Sequence, residues 1–250
     1  MSFNVNGIRA AHRKGFGDLL DTKQPDIICL QEVKANEEDI PKLSDSYTWH
    51  WHTAKRKGYS GVGIGMKQKA SIILKGIGID KYDREGRVIR ADINGLSIIS
   101  VYVPSGSSGD IRLSYKMQFL KAFRRYIREL LAEKRELIVC GDINIAHKPI
   151  DLTNWRSNQK TSGFLPEERK WLDRFLKLGM VDSYRQHIGE VPSYSWWSLR
   201  TGARARNVGW RLDYQLTTPK LAAQTVDAEI PIEPNLSDHA PVIMDYEVLE

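Results

Sequence analysis

Five strand-like stretches of this 250-residue chain end in polar or charged groups that a buried strand end does not ordinarily carry. They are Asn4-Val5-Asn6, Gln31-Glu32, Gly141-Asp142-Ile143-Asn144, Arg211-Leu212-Asp213-Tyr214 and Ser237-Asp238-His239. Carboxylates are almost never fully buried unless something pairs with them. Five such ends, scattered over the whole length, can share one partner only if the chain folds into sheets whose tips meet. That requirement restricts the fold before composition is considered. A metal ion and a phosphate group are what such a cluster would hold.

The pattern around these ends is rich in strands. Runs with strand character recur at Asp26–Gln31, Gly61–Met66, Val88–Ile93, Leu96–Val103, Glu136–Cys140, Tyr194–Ser198, Arg211–Thr217 and Pro241–Val248. Asn94-Gly95 joins two of them as a tight hairpin, because both residues tolerate positive φ, so that pair is antiparallel. Helical spacing is clearest over Leu113–Lys134. There Leu113, Met117, Leu120, Phe123, Ile127 and Leu130 fall three or four apart, with Lys121, Arg125 and Arg128 outward. A second helix opens at Pro166 and runs through Trp171, Leu172, Phe175 and Leu176 to a stop at Gly179; a third covers Lys14–Lys23. Many strands, few helices and a hairpin predict an α/β sandwich with mixed sheets, not a doubly wound parallel fold. With no linker, low-complexity tract or repeat, residues 1–250 are expected to form a single domain.

Charge narrows the partners. Lys and Arg number 37 against 31 Asp and Glu, a net charge of +6 that favours a polyanion, nucleic acid or anionic lipid. Cys29 and Cys140 each lie inside an apolar run and read as buried, reduced thiols. No apolar stretch approaches the roughly 20 residues of a membrane span, and no signal peptide opens the chain. The expectation is a soluble intracellular protein.

Oxygen donors from Asp, Glu and Asn suit a hard cation, Mg²⁺ or Mn²⁺, and not zinc. Glu32 is the first candidate ligand; its alternative reading is an exposed cap on the next segment. Asp142 and Asn144 sit two apart and share a face if the chain stays extended. Asp142 could orient or deprotonate a water while Asn144 donates to a phosphoryl oxygen, or the pair could simply close a strand in an Asx turn. His239 beside a second carboxylate such as Asp213 could be held in one tautomer. No nucleophile motif or phosphate-cradling loop is present, which leaves metal-assisted hydrolysis of a phosphate ester as the chemistry with candidates. Basic and aromatic segments supply a nucleic-acid surface: Lys55, Arg56 and Lys57 before Tyr59; Arg156, Asn158, Lys160 and Thr161; and the stretch Tyr194–Arg211 with Arg200, Arg204, Arg206 and Arg211. In that last stretch Trp197 is expected to pack inward, while Trp196 and Trp210 could wall a pocket for an extrahelical sugar.

Taken together these residues resemble the exonuclease III family of apurinic/apyrimidinic endonucleases, within the endonuclease/exonuclease/phosphatase superfamily. Gln31-Glu32, Gly141-Asp142-Ile143-Asn144 and Ser237-Asp238-His239 carry the superfamily likeness. Gly58-Tyr59-Ser60-Gly61-Val62-Gly63, Gly163-Phe164-Leu165-Pro166-Glu167-Glu168-Arg169 and Asn207-Val208-Gly209-Trp210-Arg211-Leu212-Asp213-Tyr214 are similar to the mammalian-type abasic-site branch. The resemblance covers nearly the whole chain. It implies two mixed, mainly antiparallel sheets packed as a sandwich flanked by helices, the deoxyribonuclease I-like fold. It also implies metal-dependent incision 5′ to an abasic site in double-stranded DNA, leaving a 3′-hydroxyl and a 5′-deoxyribose phosphate, with 3′-phosphodiesterase and some 3′-5′ exonuclease activity on blocked or open 3′ ends. By the same resemblance Glu32, Asn4, Asp238 and Asn6 belong to the metal site. Tyr102 contacts the scissile phosphate, Asp142 handles the attacking water with Asn144 beside it, and Asp213 orients His239. Tyr59, Arg112, Asn158, Thr161, Trp196, Arg200, Trp210 and Leu212 are the residues expected on DNA or around the abasic nucleotide. A monomeric, cytoplasmic, bacterial-type enzyme acting on nucleoid DNA, without a nuclear-targeting extension and with no membrane partner, completes the expectation.

Several positions depart from the mammalian-type pattern. Asn6 replaces an Asp, the loop Ser105-Gly106-Ser107-Ser108-Gly109-Asp110 lacks an expected Asn and Arg, Arg200 stands where a Met wedge is expected, Thr161 replaces an Asn and Trp196 a Phe. Two rival readings remain at this point. One keeps the fold but turns it on a small phosphate ester; the other is a DNA-binding module without catalysis.

Overall fold

The structure is a computed structural model describing residues 1–200 and 202–247. A first sheet is built from β1 (Ser2–Asn4), β2 (Ile27–Gln31), β3 (Thr48–His52) and β4 (Val62–Met66), in the order β1-β2-β4-β3. Only β1 and β2 run parallel; the other pairs are antiparallel. Next in sequence come β5 (Ile72–Lys75), β6 (Val88–Ile93), β7 (Leu96–Tyr102), β8 (Glu136–Asp142) and β9 (Val181–Asp182). A two-stranded ribbon follows, β10 (Trp196–Trp197) with β11 (Gly209–Trp210), before β12 (Asp213–Thr217) enters the second sheet between β8 and β9. The second sheet thus reads β5-β6-β7-β8-β12-β9, with β7 and β8 parallel and β6 joined to β7 by the Asn94-Gly95 hairpin. The last pair, β13 (Thr225–Glu229) and β14 (Ile243–Tyr246), is antiparallel, and Val242 bridges back to Ser2 at the start of the chain.

Side-chain alternation along the strands builds the layers. Cys29, Ile64, Ile98, Ile138 and Cys140 face the space between the sheets. Ile28 and Leu30 face the other way, onto α1 (Ile8–Arg13) and α2 (Phe16–Lys23) through Ile8, Phe16 and Leu20. Ile99, Val101, Leu137 and Val139 turn toward the long helix over Asp110–Ala132 and the helix over Pro166–Leu176, meeting Phe119, Phe123, Ile127 and Phe175. Each such buried Phe stabilises the fold by about 1.5–3 kcal/mol. The result is a sandwich of two mixed sheets with helices on both outer faces, as the sequence predicts.

The elements depart from expectation at their ends. The first long helix starts at Asp110, and the helix expected from Lys14 starts at Phe16, because Gly15 takes a left-handed φ of 99° that separates it from α1. Strand character over Tyr194–Ser198 reduces to Trp196–Trp197. The strand expected from Arg211 begins at Asp213, and the one expected over Pro241–Val248 spans Ile243–Tyr246, with Val248 outside the described residues. Strands β3 and β5 lie outside the expected runs; both are sheet edges, and Ile72 and Leu74 of β5 stand exposed although they are apolar. On β3 the Trp51 and Trp49 rings lie stacked over Gly63 and Gly65; a Cβ at Gly63 would stand 2.3 Å from the Trp51 ring.

Candidate active site

Register brings the polar strand ends together. Asp142, the last residue of β8, lies directly opposite Tyr102 at the end of β7 and Asp213 at the start of β12. Asn4 ends β1, and Glu32 follows β2 with a left-handed φ of 50° that turns its side chain off the sheet. His239 is fixed beside Trp196 by an isolated bridge. Residues from both sheets therefore converge at one end of the sandwich.

Asp142 is the hub. Its Oδ2 accepts hydrogen bonds from Asn4 Nδ2 at 2.9 Å and Asn144 Nδ2 at 3.0 Å, and its Oδ1 accepts from the Asn144 backbone N–H at 2.8 Å. Asn144 Nδ2 also donates to the Val103 carbonyl at 3.0 Å, so both amide hydrogens are engaged and Asn144 orients Asp142. Asn4 Nδ2 reaches Glu32 Oε1 at 3.1 Å, while its Oδ1 accepts from the Asn6 N–H at 3.0 Å. Asn4 thus aligns the two carboxylates of the expected metal site through its amide nitrogen.

On the far side of Asp142, His239 Nδ1 donates to Asp213 Oδ2 at 2.8 Å, and Ser195 Oγ donates to the same oxygen at 2.6 Å. His239 Nε2 stands 3.9 Å from Asp142 Oδ2. Burial alone would depress the imidazolium, but Asp213, then Asp142 and Asp238, outweigh it and push the pKa up to about 10. Burial, reinforced by Asp213 and Glu32 and opposed by His239, pushes the Asp142 carboxyl up to about 8. Burial would also lift Glu32, yet Lys34, 2.5 Å from Oε2, holds it below the ordinary carboxylate range. The Tyr102 phenol is held well above its usual value by burial and by Glu32 and Asp142, so it stays a donor.

Glu32 and Asp142 present carboxylate oxygens within 4.8 Å of each other and of a His239 nitrogen; with His239 charged, the two carboxylates are the group able to hold a metal ion. Oxygen donors and a crowd of carboxylates that lifts Asp142 are what a hard divalent cation would relieve, and the residues fit such an ion. Asp142 thus joins Glu32 at the candidate metal position. Asp238 is set slightly aside, its carboxylate taking Asn6 Nδ2 at 2.8 Å and Trp196 Nε1 at 3.1 Å.

These groups form the floor of a cleft of about 310 Å³, walled by Trp196, Trp210, Leu212, Thr161, Ser162 and Gly163, with Ser105 and Ser107 on its lip. Trp196 and Trp210 pair across the short ribbon, their rings 6.4 Å apart and nearly perpendicular. Trp197 packs inward, as expected. Tyr59 and Arg112 lie outside the cleft in an adjoining basic groove. Tyr59 Oη accepts from Arg112 at 3.1 Å and from Arg87 at 2.8 Å, and the Arg87 guanidinium lies over the Tyr102 ring. Asn158 is half-buried and donates to the Asn154 carbonyl; Arg200 is exposed on the loop beyond Trp197.

Two arginines assigned to a DNA surface are corrected. Arg211 is 1% exposed and locked to Asp151 and Asp182, out of reach of any phosphate. Arg204 lies over Trp197 and donates to the Ser237 and Ile232 carbonyls, bracing the segment that carries Asp238 and His239. Sequence reasoning assigned no role to Lys34, Arg87 or Ser195, although Lys34 stands two residues after Glu32 and Ser195 next to Trp196.

The pattern of the Endonuclease/Exonuclease/phosphatase family matches residues 1–239. The chain is 42% identical over 244 residues to an exodeoxyribonuclease of Bacillus subtilis (strain 168), an alignment covering 97% of this chain and 96% of that protein. It is 38% identical over 249 residues to the DNA repair nuclease APEX1 of Danio rerio, covering 97% and 80% respectively. Among solved structures, an AP endonuclease from Archaeoglobus fulgidus matches with a TM-score of 0.89 at 30% identity, covering 99% of this chain and 98% of that one.

Proposed function

The chain belongs to the endonuclease/exonuclease/phosphatase family, and on that premise we propose that it is a base-excision repair enzyme that hydrolyses the phosphodiester 5′ to an abasic site in duplex DNA. The observation that carries this reading is one cleft in which the Asp142–Asn144 turn and the Asp213–His239 pair face two tryptophans. A deoxyribose that has lost its base is a fragment such apolar walls beside the carboxylates would accept.

Asp142, held by Asn4 and Asn144, orients the attacking water and accepts its proton. His239, charged through its bond to Asp213, offers Nε2–H to a phosphoryl oxygen as negative charge builds there, and the neutral Tyr102 phenol offers a second donor. A divalent cation at Glu32 and Asp142, Mg²⁺ or Mn²⁺, would supply Lewis-acid charge to the same phosphate. The P–O3′ bond breaks, leaving a 3′-hydroxyl and a 5′-deoxyribose phosphate. Supporting roles fall to Asp238 and Asn6 beside the metal, and to Tyr59, Arg112, Asn158, Thr161, Arg200 and Leu212 along the DNA. We assign the enzyme as a single-domain monomer of the bacterial-type cytoplasm acting on nucleoid DNA; the two buried free thiols support a reducing compartment. Among the described residues no helix is long and apolar enough to cross a membrane.

The deciding experiment is incision of an end-labelled duplex carrying one tetrahydrofuran analogue, with Mg²⁺ and with EDTA. The analogue cannot undergo β-elimination, so a cut on its 5′ side requires hydrolysis. Metal-dependent cutting that falls by about 10²–10⁴-fold in Asp142→Asn is the expected result. A ladder only from the 3′ end would instead make the protein a 3′-5′ exonuclease or end trimmer. That second reading draws on the exodeoxyribonuclease relative and on a cleft lip made only of small serine side chains at Ser105 and Ser107. Binding without any cutting would leave neither.

A further inference from the structure

Beneath the cleft lies an ion pair with no solvent contact: Lys116 of the long helix and Glu168 in the first turn of the helix over Pro166–Leu176 are both 0% exposed and 2.5 Å apart. Two buried charges persist only when geometry and hydrogen bonds satisfy them. Here they are satisfied by the two sides of the site. Lys116 Nζ donates to the Asn144 carbonyl at 2.8 Å. Glu168 Oε1 accepts from Ser162 Oγ at 3.1 Å, and Oε2 accepts from the Gly163 and Leu165 N–H groups at 2.6 and 3.0 Å.

Helix capping explains the Leu165 bond alone. It does not explain a lysine buried under the catalytic turn, nor a carboxylate gripping the cleft wall. Asn144 is the residue that holds Asp142, and Ser162 and Gly163 line the cleft. Gly163 is wedged in the gap itself. A Cβ there would sit 3.2 Å from the Trp210 ring and 3.5 Å from the Asn144 carbonyl oxygen. The ion pair therefore ties the floor carrying Asp142 to the wall carrying Gly163 and Trp210, with no atom exposed to substrate.

Resting on the endonuclease reading above, we propose that Lys116 and Glu168 are positioning residues for phosphodiester hydrolysis. By fixing the Asp142–Asn144 turn against the Thr161–Gly163 wall, they govern the rate of bond cleavage and leave DNA affinity largely unchanged.

The test compares kcat and KM on the tetrahydrofuran duplex for wild type, Lys116→Met, Lys116→Arg, Glu168→Asp and the double variant Lys116→Met/Glu168→Leu, with thermal melts of each. Lys116→Met and Glu168→Asp are expected to lower kcat about a hundredfold, the scale of an ångström misplacement, with KM changed less than about threefold. Lys116→Arg, which keeps charge and donors, restores most of that loss. The double variant carries no unpaired buried charge but leaves the Gly163 and Leu165 N–H groups without their acceptor, so it should fold with a lower melting temperature than wild type and still be slow. A folded double variant with wild-type kcat overturns the proposal, as does a loss confined to KM or one that follows melting temperature alone. Should Lys116→Met not fold, Glu168→Asp and the double variant decide by the same criteria. Wild-type protein that leaves the analogue uncut removes the endonuclease reading and this proposal with it; wild-type cutting with unaffected variants removes this proposal only.

Discussion

His239 gives its Nδ1 hydrogen to Asp213 and turns Nε2 toward Asp142, so carboxylates set both its tautomer and its charge. Asp213→Asn keeps the size and removes the attraction. Kinetics should then show kcat lower by about 10²–10⁴-fold with KM nearly unchanged. Because Asp213 raises the His239 pKa, its loss lowers the pH at which His239 gives up its proton, so the alkaline limb of the pH–rate profile should move to lower pH. An unmoved limb would mean that His239 charge is not what the reaction uses. At this scale the acidic strand ends made Glu32, Asp142, Asp213 and His239 legible, because a carboxylate ending an apolar run is a local signal. The direction of the Asn4 amide was not legible, nor the grip of Lys34 on Glu32 and of Arg87 on Tyr59. The Asn4 and Arg87 contacts depend on partners that the fold brings from elsewhere in the chain, and the Lys34 contact depends on the left-handed turn at Glu32 and Lys34.

Between β11 and β12, Arg211 shows how an element's start is fixed. Its guanidinium is shared between Asp151 and Asp182, with Arg185 also on Asp151, and it lies over the Tyr214 ring. That anchorage holds Leu212 at the cleft and lets β12 begin at Asp213. Burial would raise the Asp151 carboxyl, but Arg211 overrides it and the pKa is lowered. A lowered carboxyl contributes stability that is present above its unfolded value, near 3.9, and is lost as pH falls through the folded value. Asp151→Asn should therefore cost about 3–5 kcal/mol in urea unfolding at pH 7, with the gap to wild type narrowing in acid as Asp151 takes up its proton. An equal gap at pH 7 and in acid would assign the effect to packing. Periodicity revealed the long helix and the central strands because their buried faces are regular. It missed Lys116, which interrupts the apolar face with a charge satisfied by another helix and by the Asn144 carbonyl, and the edge strands, which are short and lack a continuous buried face.

Charge at the scale of the molecule is unevenly placed. Lys55, Arg56, Lys81, Arg84 and Arg112 surround the groove next to the cleft, with Glu85 as its acidic member. Tyr59 and Tyr102 join groove and cleft through Arg87. Replacing Lys55 and Arg56 with Ala should weaken duplex binding at low salt and reduce the slope of log K against log salt by roughly 1.8, the effect of two lost phosphate contacts. A slope equal to wild type would place the DNA elsewhere. The wider architecture has a temporal side. Ser2 and Val242 exchange both backbone hydrogen bonds, and the catalytic groups run from Asn4 to His239. During synthesis β1 and β2 emerge long before the segment Ser237–Val242 that completes them. A chain that has folded without that segment lacks His239 and the bridge to Ser2, so it cannot cut. The appearance of nuclease activity during refolding would therefore time the docking of Val242 onto Ser2.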